Sequence, residues 1–387
     1  MAKHFFSLFA PGVMVSFFMV PLHGATDASP STYPAPAYIQ IFPNQDKAHF
    51  VGSVTCQSSM CHGGASPSRG QFKIWSTQDF HSRSYATLVT ARSVRIAESL
   101  GITSATDSTR CTTCHAPFSA LPAGHLATTV NATDGVSCEA CHNGAGAWLR
   151  GHTRPDWTYA NRVHAGLRYL RSAYVRAETC VSCHQVIDPA LLKAGHPELV
   201  FELDGQTASE PRHWTEKDTW FGPKAWLVGQ AVALREISEQ SEKHSDPDLE
   251  AQKKALVWLL QGVPDVPPRI DQLDTEDVFP AWSNQIAQTI SAQDWNSAKS
   301  TDTLVSLAAT SISFLNDSVP LPERELRAER LVLGLDRLFK SLHKEPSSPG
   351  QAELSALFDA VQDPAQFNPK TFSSLLQKFA DVVTPKK

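Results

Sequence analysis

The chain has 387 residues, of which 42% are apolar and 19% charged, a balance that excludes wholesale disorder. Lys and Arg total 34 against 39 Asp and Glu, for a formal charge of −5, so no basic excess is present to serve a nucleic-acid partner. The length suggests two or three domains, and the eight cysteines mark one of them, since all lie between Cys56 and Cys183.

In chain order, Lys3 and His4 precede an apolar stretch from Phe5 to Leu22, followed by His23, Gly24 and Ala25. A positive start, an apolar middle and small residues form an export signal, expected over residues 1–25 with cleavage near Ala25. The alternative is an uncleaved membrane anchor, which Pro11 and Gly12 near the middle of the stretch argue against. Residues 26–48, rich in Pro and Ala, read as an extended lead-in.

Export first suggests disulfides, but the spacing points elsewhere. Cys111-Thr112-Thr113-Cys114-His115, Cys138-Glu139-Ala140-Cys141-His142 and Cys180-Val181-Ser182-Cys183-His184 are each C-x-x-C-H. Cys56-Gln57-Ser58-Ser59-Met60-Cys61-His62 is the same motif with a longer spacer. This pattern is the attachment signature of c-type haem: two sulfurs bond one edge of a porphyrin, and the following imidazole lies beneath it to bind iron. A zinc site takes Cys pairs but does not need a His after every second Cys. Four covalent haem c groups with iron are therefore expected, bound at Cys56, Cys61, Cys111, Cys114, Cys138, Cys141, Cys180 and Cys183. His62, His115, His142 and His184 are the first axial ligands.

A second His is the common closure of haem iron in multihaem electron carriers. The strongest candidates are His81, in an aromatic-flanked stretch read as helical; His152, beyond Gly144, Gly146 and Trp148; and His196, between Gly195 and Pro197. His125 follows with its flexible Ala123-Gly124 lead, and His213 and His164 rank behind it.

The order of these features resembles the tetrahaem cytochromes of the c-554 group and their multihaem relatives. The stretches that carry the resemblance are Val51-Gly52-Ser53, Cys56 to Gly63, Trp75 to His81, Gly135 to His142 and Ala194 to Pro197 with Phe201-Glu202-Leu203, within about residues 50–215. It implies closely stacked haems passing electrons in the periplasm. By the same resemblance His81, His125 and His152 serve as distal ligands, and His115 is left as the single ligand of a five-coordinate haem. The four-residue first spacer and the long haem-free tail depart from that pattern.

Residues 49–215 spend so little chain on each attachment site that the porphyrins must form the core, wrapped by short helices and loops with little regular sheet. Residues 216–387 read as a separate all-α domain. Helices are expected from Pro223 through Glu236, over Lys253–Gln261, Trp282–Ile290, Thr301–Leu315 and Pro322–Leu342, and over Ala352–Val361 and Thr371–Val383. Leu331, Leu335, Leu338 and Leu342 share one face of the fifth of these. The fold class is thus mainly α. The function expected is electron transfer with redox partner proteins, through small transient contacts. The alternatives are an enzyme acting on a small nitrogen or sulfur compound at an open haem, and a haem subunit of a larger redox complex. No catalytic residue is assigned, and a membrane contact is expected only if the signal segment is retained.

Overall fold

The computed structural model describes residues 48–184, 187–242, 246–264, 266–267, 278–345 and 347–385. The signal segment and nearly all of the lead-in therefore lie outside the described residues. Those described are mainly α, and their extended pairing is a single bridge between Phe50 and Leu126. No described helix is long and apolar enough to cross a membrane.

The attachment region is built of short helices: α1 (Gln71–Gln78), α2 (Ser84–Thr87), α3 (Ala91–Ser99), α4 (Thr109–His115), α5 (Cys138–His142), α6 (Tyr159–His164), α7 (Ala173–His184), α8 (Pro189–Lys193) and α9 (Leu203–Ser209). Each C-x-x-C-H sequence ends a helix, because a helical turn sets the two Cys on one side with the His beside them. The four-residue spacer of the first motif instead follows a 3₁₀ turn at Ser53–Thr55.

The aromatic-flanked stretch at His81 is broken rather than one helix. Asp79 is extended, with φ −81° and ψ 126°, and its side chain accepts from the His81 N–H to start a new 3₁₀ turn at Phe80–Arg83. An Asp favours such a cap over a helix interior, and here it stops α1 two residues before His81.

The tail is a bundle of α10 (Phe221–Ser241), α11 (Pro247–Gln261), α12 (Val278–Ala292), α13 (Ser297–Ala308), α14 (Leu321–Leu342), α15 (Gln351–Asp359) and α16 (Pro369–Val383). The expected helices are all present with shifted ends. The one expected over Thr301–Leu315 stops at Ala308 and resumes as a 3₁₀ turn at Ser311–Leu315. Helix α10 is central and packs on α7, α9, α11, α12 and α14. It is apolar nearly all round, as a buried helix must be. Trp226 is fully buried on it, and a Cβ at Gly334 of α14 would stand 2.4 Å from the Trp226 ring. Leu331, Leu335 and Leu338 of α14 are fully buried in the same cluster.

That cluster does not stop at the tail. It takes in Ala173, Ala177 and Val181 of α7, the helix that ends in the fourth attachment motif. Arg235 of α10 pairs with Glu178 of α7 at 2.7 Å, and Arg337 of α14 reaches Glu202 at 3.0 Å and Asp204 at 3.3 Å. By contrast, the rest of the attachment region has two small clusters, one around Phe50, Phe118, Leu121 and Ala140 and one around Leu88, Ala97 and Ala105. Met60 and Phe80 there stand 77% and 80% exposed, with Val54, Val89, Val94 and Val200 also exposed. Apolar side chains left bare beside the attachment motifs are surfaces that a large planar apolar group would cover.

Candidate haem-binding site

The third motif fixes the first. Glu139 lies between the two cysteines of the third motif and is buried. Its carboxylate accepts from Val51 N–H at 3.0 and 3.1 Å, Gly52 N–H at 2.8 Å and Ala145 N–H at 2.7 Å. Burial raises its pKa, and the three backbone donors oppose that rise. Gly52 is at φ 77°, and a Cβ there would lie 2.3 Å from Thr129 O, so only glycine carries the chain into the first motif. Glu139→Ala is expected to leave two buried N–H groups, of Gly52 and Ala145, and the half-buried one of Val51 without their acceptor, at about 1–3 kcal/mol for each buried group before relaxation. A urea or thermal midpoint measured on the holoprotein checks this.

Each of the four attachment His faces another His. The ring centroids are 6.1 Å apart for His62 and His152, 5.9 Å for His184 and His81, 6.4 Å for His115 and His196, and 6.4 Å for His142 and His213. Two imidazoles bound to opposite faces of one metal, with metal–nitrogen bonds of about 2 Å, place their centroids roughly 6 Å apart.

The ring nitrogens are arranged to match. Nδ1 of His62 donates to Gln71 Oε1 at 3.1 Å, that of His115 to Ser84 O at 3.1 Å, and that of His196 to Pro197 O at 2.8 Å. Nδ1 of His152 donates to Leu149 O, and that of His213 to Pro211 O at 3.4 Å. A carbonyl oxygen only accepts, so Nδ1 carries the proton and the Nε2 lone pair is free for a metal. Burial holds the His115 ring below its ordinary pKa. Burial likewise pushes His142 and His184 down to about 4, helped by the facing His213 and His81 respectively. A neutral ring is the form that binds a metal.

His81 differs. Its Nδ1 lies 3.0 Å from Asp79 Oδ1 and 3.4 Å from Glu210 Oε1. Burial disfavours its charge, yet the hydrogen bonds to these two carboxylates prevail and carry the metal-free ring up to about 11.

Among the sequence candidates, His81, His152 and His196 are each brought against an attachment His. His125, also read as a distal ligand, stands outside the four pairs. Its Nδ1 donates to Ala48 O at 2.9 Å, and the Phe50–Leu126 bridge holds its segment beside the start of the attachment region. His213 takes the place opposite His142. No local pattern announced it; the nearest signal is Trp214, whose ring packs edge-on against His213 at 5.2 Å. Gly195 sits at φ 102°, a conformation glycine adopts freely, and so turns the chain to present His196.

The sulfurs of different motifs also meet. The Cys56 and Cys138 sulfurs lie within hydrogen-bonding reach of one another, as do those of Cys114 and Cys183. Burial pushes the Cys141 and Cys180 thiols up. All eight cysteines are free thiols here. Paired sulfurs, a neutral imidazole after each pair, an opposing imidazole and bare apolar walls together fit covalent haem c.

Residues 44–143 match the family model described as cytochrome c554 and c-prime. The chain is a c-type cytochrome resembling that family. As such it carries covalent haem c and iron and works in electron transfer. The match spans the first three attachment motifs of the cytochrome and ends before His152, the fourth motif, His196 and His213. No curated protein and no solved structure gives a significant match.

Proposed function

We propose that this chain is an exported, periplasmic tetrahaem electron carrier with six-coordinate, bis-His iron at all four sites. The axial pairs are His62 with His152, His115 with His196, His142 with His213, and His184 with His81. The observation that carries this reading is the set of four ring pairs at 5.9–6.4 Å, one for each attachment motif. The haems supply reversible one-electron chemistry. The chain's own part is to hold both axial rings in place, through Nδ1 hydrogen bonds and short capped turns, so that little reorganises when the charge changes.

Cys56 adjoins Cys138 and Cys183 adjoins Cys114, while Arg168 joins the third motif to the helix of the fourth, its backbone N–H donating to His142 O at 3.1 Å and its guanidinium to Thr179 Oγ1 at 2.9 Å. In this reading the sequence of sites is first, third, fourth, second, a continuous path through residues 49–215, with residues 216–387 as a helical domain bearing no haem. Partners are redox proteins that meet the carrier transiently. The signal-like residues 1–25 support export. The enzyme reading needs an iron with one free face, and His196 opposite His115 occupies the position that reading would use.

Two measurements test the proposal. The mass of the holoprotein and its pyridine haemochrome should give four haems per chain; a mass equal to the bare polypeptide sinks it. His213→Ala should convert one site from low-spin to high-spin and let it bind carbon monoxide, whereas His125→Ala should leave every site low-spin. The opposite pattern would replace His213 by His125.

A further inference from the structure

Of the eight paired imidazoles, His81 alone has carboxylates in contact with its Nδ1. The acceptors seen at His62, His115, His152, His196 and His213 are neutral carbonyl, amide or hydroxyl oxygens. Asp79 is 5% exposed. Glu210 ends α9 and comes from the same segment that delivers His213 three residues later, so it reaches His81 from 129 residues away. Local chain and distant chain thus converge on one N–H.

We propose that Asp79 and Glu210 are positioning residues that act through the His81 Nδ1–H to lower the reduction potential of the site on Cys180 and Cys183. A carboxylate acceptor draws the Nδ1 proton toward itself and makes the opposite nitrogen a stronger donor to the metal, which favours the oxidised ion. Two acids at the same proton add negative charge within a few ångströms of it, and that too favours the higher oxidation state. The neutral acceptors at those five rings exert neither effect to the same degree. The inference rests on the reading of His81 as the axial partner of His184.

Redox titration of the holoprotein, followed optically and by electron paramagnetic resonance, tests it with three variants. His81→Ala identifies the couple concerned, because that site should leave the low-spin set; if no site turns high-spin, the ligation reading has failed and not the tuning. Asp79→Asn keeps the shape and the cap on His81 N–H but removes the charge. It should stay low-spin and raise the potential of that same couple by at least a tenfold change in its reduction equilibrium, 59 mV for one electron, with the other three couples unmoved. Glu210→Gln should give a smaller rise in the same direction. If Asp79→Asn disturbs the low-spin signal, Glu210→Gln decides. A low-spin Glu210→Gln protein with an unchanged potential then overturns the proposal, as does no shift in either low-spin variant. Asp79, His81 and Glu210 also lie close enough together to hold a metal ion; a wild-type potential that moves when a chelator is added would likewise overturn the assignment.

Discussion

If the chain carries the four haems proposed, replacing Cys180 and Cys183 together by alanine is expected to remove one of them and to disrupt electron exchange more than the loss of any other pair except the third. The reason is position. In the proposed order the fourth motif lies between the third, through Arg168, and the second, through Cys183 and Cys114. In the same order the first motif stands at one end, beside the third through Cys56 and Cys138, so its loss shortens the path without cutting it. Rapid-mixing reduction should therefore become biphasic in the Cys180→Ala/Cys183→Ala protein, with the second site filling slowly and separately. The Cys56→Ala/Cys61→Ala protein should remain monophasic over its remaining three haems. Monophasic reduction in both would show that the order of sites is wrong.

Trp226→Ala is expected to cost about 3–5 kcal/mol of stability, the range for deleting a large buried aromatic side chain. Trp226 is fully buried and faces Gly334 at a distance that leaves no room for a Cβ, so neighbouring groups cannot readily close the gap. Gly334→Val should fail for the converse reason, since its side chain would overlap the indole. Denaturant midpoints of the holoprotein measure both. Because α10 also packs on α7, the loss should spread to the fourth attachment site and appear as loosened His184 and His81 ligation at denaturant concentrations where the first site is intact. Simultaneous loss at all sites would argue that the cores of tail and attachment region melt as one.

The parts legible in the sequence are those whose signal is contiguous. Four Cys-His motifs are each a local pattern, and the helices of the tail follow from apolar spacing, as Leu331, Leu335 and Leu338 illustrate. Helix ends were less legible, because a capping residue competes with periodicity: Asp79 splits the stretch before His81, and the helix ending at Ala308 gives way to a tighter turn. Distal rings are a tertiary matter. His213 follows the fourth motif by 29 residues and has no flexible lead; its approach to His142 at 6.4 Å exists only in the folded chain. His125 has the flexible lead, but each attachment His is already paired with another ring. Glu139 was invisible for a different reason: an acid between two cysteines looks like any surface residue until Val51, Gly52 and Ala145 are seen to point at it.

Helix α7 serves two masters, since one face completes the tail's core and its last turn carries the fourth attachment motif. Biogenesis inherits that conflict. The enzyme that stitches prosthetic groups onto the nascent polypeptide must reach Cys180 and Cys183 while this helix is still loose, yet translation delivers the two hundred or so residues that would clamp it only afterwards. In the proposed exported carrier, haem attachment at Cys180 and Cys183 would therefore have to precede the closing of the C-terminal bundle over this helix.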